Sequence, residues 1–218
     1  MSAPAALLWD LDGVLVDSAA FHYLAFREVL AALGVALDEE SFRRQLLGLR
    51  NDAILRRLLG DLPPERTAEL AEEKEAAFRR LIAGRVQPLP GAREAVLAAQ
   101  RRGIPQAIVS STPRENVRLV LESLGLREAF AALVAEEDVT RGKPDPEGFL
   151  LAAERLGVAP ARCLVVEDAP EGVRAAKAAG MRCLAVATTR PPPMLAEADL
   201  VLPSLADPRA LPFLLGEG

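Results

Sequence analysis

Histidine, cysteine and lysine are nearly missing from this sequence. Its 218 residues include one histidine, two cysteines and three lysines. Cys163 and Cys183 lie too far apart, with too few companions, to make a metal site. Each opens an apolar run, "CLVVED" and "CLAVAT". They read as small buried hydrophobes in a reducing compartment and are assigned no chemistry. Basic clusters are absent too, and the net charge is −5 with a pI near 5.2. That excludes nucleic acid or an anionic membrane as the main partner. No apolar stretch approaches the roughly 20 residues of a membrane span. The start, "MSAPAALLWDLDG", has no basic n-region and meets aspartate too early for a signal peptide. The expectation is a soluble, cytoplasmic protein, monomeric or a weak homodimer.

What is present is hydrophobic material, half of all residues, enough for a sizeable core. Short apolar runs alternate with helical patterns. "ALLWD" precedes a helix near 19–33, "PQAIVSS" precedes "RENVRLVLESLG", and "CLVVEDA" precedes "EGVRAAKAAG". "CLAVATT" precedes a short helical "PMLAEA", while "AALVAEE" and "ADLVLPS" add weaker strands. Continuous apolar strands between helices predict an α/β fold, a Rossmann-like parallel sheet covered on both faces. Residues 18–86 break this rhythm. They hold only helical patterns, punctuated by Gly34, Gly48, Gly60, Pro63, Pro64 and Gly84. The predicted organisation is an α/β core of 1–17 and 87–218 with an all-helical insertion of 18–86.

The chemistry gathers at strand ends. "LLWDLDGVLVDS" finishes a buried run with Asp10 and Asp12. Residues i and i+2 of a strand share a face, about 6.6–7 Å apart. Both carboxylates therefore address one spot beyond the strand's C-terminal end, where open α/β sheets bind ligands. "LVVEDAPEG" ends a second run in Glu167 and Asp168, and "IVSST" ends a third in Ser110, Ser111 and Thr112. "TRGKPDPEGF" adds Lys143 in a loop before a helix. Buried carboxylates this close need a cation. Oxygen donors without histidine or cysteine favour a hard one, and Mg²⁺ suits a phosphate substrate. Hydroxyls and an ammonium are what phosphoryl oxygens require.

In order and spacing, "DLDGVLVDS" (10–18), "VSST" (109–112), "GKPDPEGF" (142–149) and "VVEDAPEG" (165–172) resemble the motifs of the haloacid dehalogenase-like superfamily of aspartate-nucleophile phosphotransferases. The likeness spans essentially the whole chain. The place and length of the insertion resemble a C1 cap domain. The resemblance implies Asp10 as a nucleophile forming an aspartyl-phosphate, and Asp12 as general acid/base whose carbonyl also meets the metal. It implies Ser110, Ser111 and Lys143 as phosphate ligands. Asp10, Asp12, Glu167 and Asp168 would form the Mg²⁺ site. Haloacid dehalogenases and phosphonatases lack a carboxylate at the Asp12 position, so Asp12 points to phosphate esters.

The insertion carries the specificity question. His22, Arg50 and Lys74 match cap residues of β-phosphoglucomutase, in which a histidine pairs with a cap lysine. They read either as groups that hold the distal part of a substrate or as packing and solvated residues. The C-terminal "LAVATTRPPPMLAEADLVLPSLAD" looks more like the phosphatases. The expectation is a Mg²⁺-dependent phosphatase for a small, sugar-like phosphorylated metabolite, with β-phosphoglucomutase and then phosphoglycolate phosphatase as alternatives.

Overall fold

A computed structural model describes residues 3–217. The chain divides into two compact units, one formed by the segment up to Asp17 together with the chain from Gln87 onward, the other by Ser18–Val86. In the first unit the strands are β1 (Ala6–Trp9), β2 (Gln106–Val109), β3 (Ala132–Val134), β4 (Cys163–Glu167), β5 (Arg182–Val186) and β6 (Leu200–Leu202). They pair in parallel in the order β3-β2-β1-β4-β5-β6. Strand order reverses between β1 and β4. That reversal leaves a crevice at the C-terminal ends of the central strands.

Every residue of β1, β2 and β4 is buried, because helices cover both faces and no side of these strands is left for polar residues. Ala6 and Leu8 of β1 share one core with Val109, Val165, Cys183 and Phe149. Leu7 and Trp9 are equally buried and, by the strand period, face the opposite side. Helix α5 (Ala92–Arg101) leads into β2 and helix α6 (Arg114–Ser123) leaves it. Helices α7 (Glu147–Leu156) and α8 (Pro170–Ala178) flank β4, and their alanines, Ala152, Ala153, Ala175 and Ala176, allow close packing on the sheet. Both cysteines are free and buried in this core; burial pushes the Cys163 thiol up to about 11. One expected helix is replaced. Around "PMLAEA" the chain makes only a 3-10 turn at Pro192–Leu195, since successive prolines cannot donate to a helical ladder.

The second unit contains helices α1 (Ala19–Ala32), α2 (Glu39–Gln45), α3 (Asn51–Leu59) and α4 (Pro64–Ile82). Helix α2 begins where Asp38 accepts a hydrogen bond from the Ser41 backbone N–H at 2.8 Å. Its core joins Tyr23, Phe26, Leu30, Phe42, Ile54, Leu55 and Leu70. Lys74 is buried inside this unit, 2% exposed, so it does not belong to a solvated helix face. Its ammonium lies 2.7 Å from Glu75 Oε1 and 2.8 Å from His22 Nδ1, between the rings of Phe26 and Phe78 at 5.0 and 5.4 Å. Asn51 Nδ2 donates to the same Glu75 oxygen at 2.6 Å. The His22 ring stacks on Phe78, centroids 4.2 Å apart. Burial first, and the Lys74 charge second, hold the His22 pKa well below its ordinary value. A neutral imidazole can thus accept a hydrogen bond from the ammonium at Nδ1. Arg50, by contrast, is exposed at the start of α3, with Asp52 3.5 Å away.

Removing one partner from a buried ion pair strands the other charge, typically at about 3–5 kcal/mol. Lys74→Met should therefore lower the unfolding free energy obtained from urea titration by about 3–5 kcal/mol. The double change Lys74→Met with Glu75→Gln should recover much of the loss. A single mutant as stable as the parent would show that the pair is not needed for the helical unit.

Candidate active site

The site is assembled from the chain segments that leave β1, β2, β4 and β5. Asp10 continues β1 by one rung, its N–H donating to the Val166 carbonyl at 2.9 Å. The chain then turns at Gly13, whose N–H returns to Val16 O at 2.7 Å. Gly13 has φ +87°, and a Cβ there would stand 2.1 Å from Asp168 Oδ2. Both the backbone conformation and the approach of Asp168 require glycine. Asp12, half-buried, accepts a hydrogen bond at Oδ2 from Thr112 Oγ1 at 2.9 Å.

Glu167 is the last residue of β4, 1% exposed. Its Oε2 accepts the backbone N–H groups of Asp168 at 2.9 Å and Ala169 at 3.2 Å. Its other oxygen accepts from the Lys143 ammonium. The same ammonium donates to Asp10 Oδ1 at 2.5 Å and to the Val109 carbonyl at 3.2 Å, with the Phe149 ring 5.2 Å below. The loop that carries Lys143 is wound on the start of α7. Glu147 accepts the N–H groups of Thr140 and Arg141 at 2.9 and 3.0 Å, and Asp145 accepts that of Glu147 at 3.0 Å.

Asp10, Glu167 and Asp168 each offer an oxygen within 4.8 Å of the others. Burial is the main reason that the Asp10 pKa stands well above the usual carboxylate range. Lys143 opposes the shift, and repulsion from Glu167, Asp168 and Asp12 adds to it. Asp168 is pushed up to about 7, again by burial first and Glu167 second. One ammonium does not offset three carboxylates. The remaining charge, on oxygen donors alone, suits a hard divalent cation, which Asp10, Glu167 and Asp168 could hold. Lys143 itself has a raised pKa: burial alone would lower it, and Asp10 and Glu167 overcome that.

Ser110 is buried, and its Oγ accepts the Thr112 N–H at 3.1 Å. Ser111 beside it is exposed. Of the three hydroxyls expected at this edge, that of Thr112 goes to Asp12. The sequence reading missed Thr188 and Thr189. Thr188 Oγ1 donates to the Gly13 carbonyl and Thr189 Oγ1 to Asp168 Oδ2. They follow β5 as Ser110 follows β2, so the strand-end argument would have found them had it been applied there. Gly172 was also missed. A Cβ on it would lie 1.9 Å from Glu167 Cδ, so this glycine makes the space in which the carboxylate sits.

The family model described as a haloacid dehalogenase-like hydrolase matches residues 4–180. The chain belongs to that family. Hexitol phosphatase B of Escherichia coli (strain K12) is 34% identical over 215 residues, 95% of this chain and 96% of its own length. β-Phosphoglucomutase of Bacillus subtilis (strain 168) is 32% identical over 210 residues, 93% of this chain and 90% of its own. The crystal structure of CbbY from Rhodobacter sphaeroides in complex with phosphate matches with a TM-score of 0.85 at 32% identity, covering 94% of this chain and 96% of that one. As in other haloacid dehalogenase-like hydrolases, the chain joins an α/β Rossmann-like sheet to helices, and no helix among its described residues is long and apolar enough to cross a membrane.

Alanine inside a helix ordinarily exceeds glycine in stability by up to about 1 kcal/mol. At Gly172 the sign should reverse, because the new methyl group displaces Glu167, with an overpacking cost of about 1–3 kcal/mol. Urea unfolding of Gly172→Ala checks this, and a gain in stability would show that the carboxylate is not confined there.

Proposed function

We propose that this protein is a Mg²⁺-dependent phosphatase that hydrolyses small, sugar-like phosphomonoesters through an aspartyl-phosphate on Asp10. The observation that carries the reading is the buried Asp10 carboxylate held 2.5 Å from the Lys143 ammonium, two residues before a second carboxylate with its own hydroxyl partner. Asp10 Oδ attacks phosphorus while Ser110, Ser111 and Lys143 hold the phosphoryl oxygens. The bond from phosphorus to the ester oxygen breaks, and Asp12 gives its proton to the departing alkoxide. Asp12, now a carboxylate, takes a proton from water as that water attacks the aspartyl-phosphate. Inorganic phosphate leaves and Asp10 is regenerated. Asp10, Glu167, Asp168 and the Asp12 carbonyl would hold Mg²⁺, which supplies positive charge to the phosphoryl group.

The named activity of hexitol phosphatase B supports a phosphorylated sugar or polyol as substrate. A second reading, phosphoryl transfer between hydroxyls of one sugar as in β-phosphoglucomutase, is favoured by the 2.8 Å contact of His22 with Lys74. Arg50, exposed at the start of α3, is proposed to contact substrate directly; Lys74 and His22 are proposed to act by holding the helical unit together.

Asp10→Asn should fold like the parent and retain less than about a thousandth of its turnover, in line with the loss of a catalytic nucleophile. Phosphate release from p-nitrophenyl phosphate and hexose phosphates checks it. Isomerised sugar phosphate with little inorganic phosphate would favour the mutase reading. A larger residual rate in Asp10→Asn would exclude the covalent route.

Binding of Mg²⁺ to the folded state alone should raise its stability, by about 2.7 kcal/mol at a hundred times the dissociation constant. Melting curves with and without Mg²⁺ measure this, and EDTA should reverse the gain. Asp168→Asn should abolish it. An unchanged melting temperature in millimolar Mg²⁺ would remove the metal from the proposal.

A further inference from the structure

The Thr112 hydroxyl lies at the sheet edge with the hydroxyls expected to serve phosphate, yet it turns to another group. Its Oγ1 is 2.9 Å from Asp12 Oδ2, and the residue is 8% exposed. We propose that Thr112 is a positioning residue for Asp12, fixing the carboxyl group that exchanges protons with the leaving oxygen and with water. This rests on Asp12 being the acid/base of the proposed phosphatase.

Three features support the assignment. The first is rigidity, because the Thr112 backbone is tied on both sides. Its N–H donates to Ser110 Oγ at 3.1 Å, and its carbonyl accepts the Glu136 N–H at 3.2 Å. Ser110 is itself anchored through its N–H to the Val134 carbonyl at 3.0 Å, and Pro113 follows with φ −54° at the start of α6. The segment after Glu136 is pinned in turn, since Glu137 accepts the Arg114 N–H at 3.0 Å and Asp138 is paired with both Arg114 and Arg155. A hydroxyl on such a turn points in one direction at little entropic cost.

The second feature is the chemistry of the partner. A general acid/base alternates between carboxylic acid and carboxylate. An ammonium or guanidinium can only donate, so it would favour one of the two states. A neutral hydroxyl can donate to Asp12 Oδ2 both in the carboxylate and in the acid that carries its proton on Oδ1, and so keeps Asp12 oriented through the whole cycle. The third is division of labour on one short turn. Ser110 Oγ accepts from Thr112 N–H and retains its own O–H for a phosphoryl oxygen. The turn thereby sets the spacing between the group that holds phosphorus and the group that protonates its leaving oxygen. Misplacement of a reacting group by about 1 Å can cost on the order of a hundredfold in rate.

The test compares kcat/KM, which reports the first phosphoryl transfer, for a hexose 6-phosphate and for p-nitrophenyl phosphate. A sugar alkoxide needs a proton to leave and nitrophenolate does not. Thr112→Val should lower kcat/KM for the hexose phosphate by about tenfold or more beyond any loss on the nitrophenyl ester. Thr112→Ser should restore most of it. In an Asp12→Asn background, Thr112→Val should change the hexose phosphate rate by less than about twofold, because its effect passes through Asp12. If Thr112→Val folds poorly in urea unfolding, Thr112→Ala carries the same comparison. Equal losses on both substrates, or fully additive losses with Asp12→Asn, would overturn the positioning role and leave the phosphatase reading intact. If Asp12→Asn alone leaves hexose phosphate turnover unchanged, the acid/base assignment fails and this inference fails with it.

Discussion

The arrangement depends on one ammonium held among buried carboxylates. Lys143 touches Asp10, Glu167 and the Val109 carbonyl, and so joins the ends of β1, β2 and β4 at a single point. Isolated burial of any one of these charges would be prohibitive. The surroundings answer that cost with bonds to each group. Two backbone N–H groups fix Glu167, Glu147 and Asp145 fold the loop that presents Lys143, and Thr189 steadies Asp168. Each supporting group is itself placed by a strand end or a helix start. The central sheet is thus a device for setting charges that would otherwise repel.

Much of this was legible in the sequence, and the reason is local. A parallel strand buried on both faces is a short apolar run, and a carboxylate that ends such a run has few structural explanations. Asp10, Asp12, Glu167 and Asp168 follow that pattern, Ser110 ends β2 in the same way, and Lys143 comes from the loop before α7; the structure brings them to one edge. The parallel order could also be anticipated, because helical segments separate the strands. The end of β5 carried the same kind of signal in Thr188 and Thr189, in a stretch read for its strand and its likeness to phosphatases but not for its hydroxyls.

Other features were not legible because they depend on contacts distant in sequence. The burial of Lys74 is decided by Glu75, by the rings of Phe26 and Phe78, and by a histidine 52 residues away. Its local sequence, "AEEKEAAF", reads as a charged face. Gly172 looks like any glycine near a helix start until Glu167 is placed beneath it. Thr112 could be assigned to the sheet edge from its position, but its choice between phosphate and Asp12 is a matter of orientation.

The position of β1 in the sheet has a consequence for synthesis and folding. β1 is central in the sheet, and its two neighbours, residues 106–109 and 163–167, are made long after it. Until the second neighbour emerges, β1 has an open edge made of apolar residues. The helical unit is contiguous, and one hydrophobic core cluster lies wholly within Ser18–Val86. The sheet must wait, since its key pairing spans more than half of the chain, and such long closures slow folding. The groups that surround Asp10 in the fold, Lys143 and β4 with Glu167, all belong to the later part of the chain.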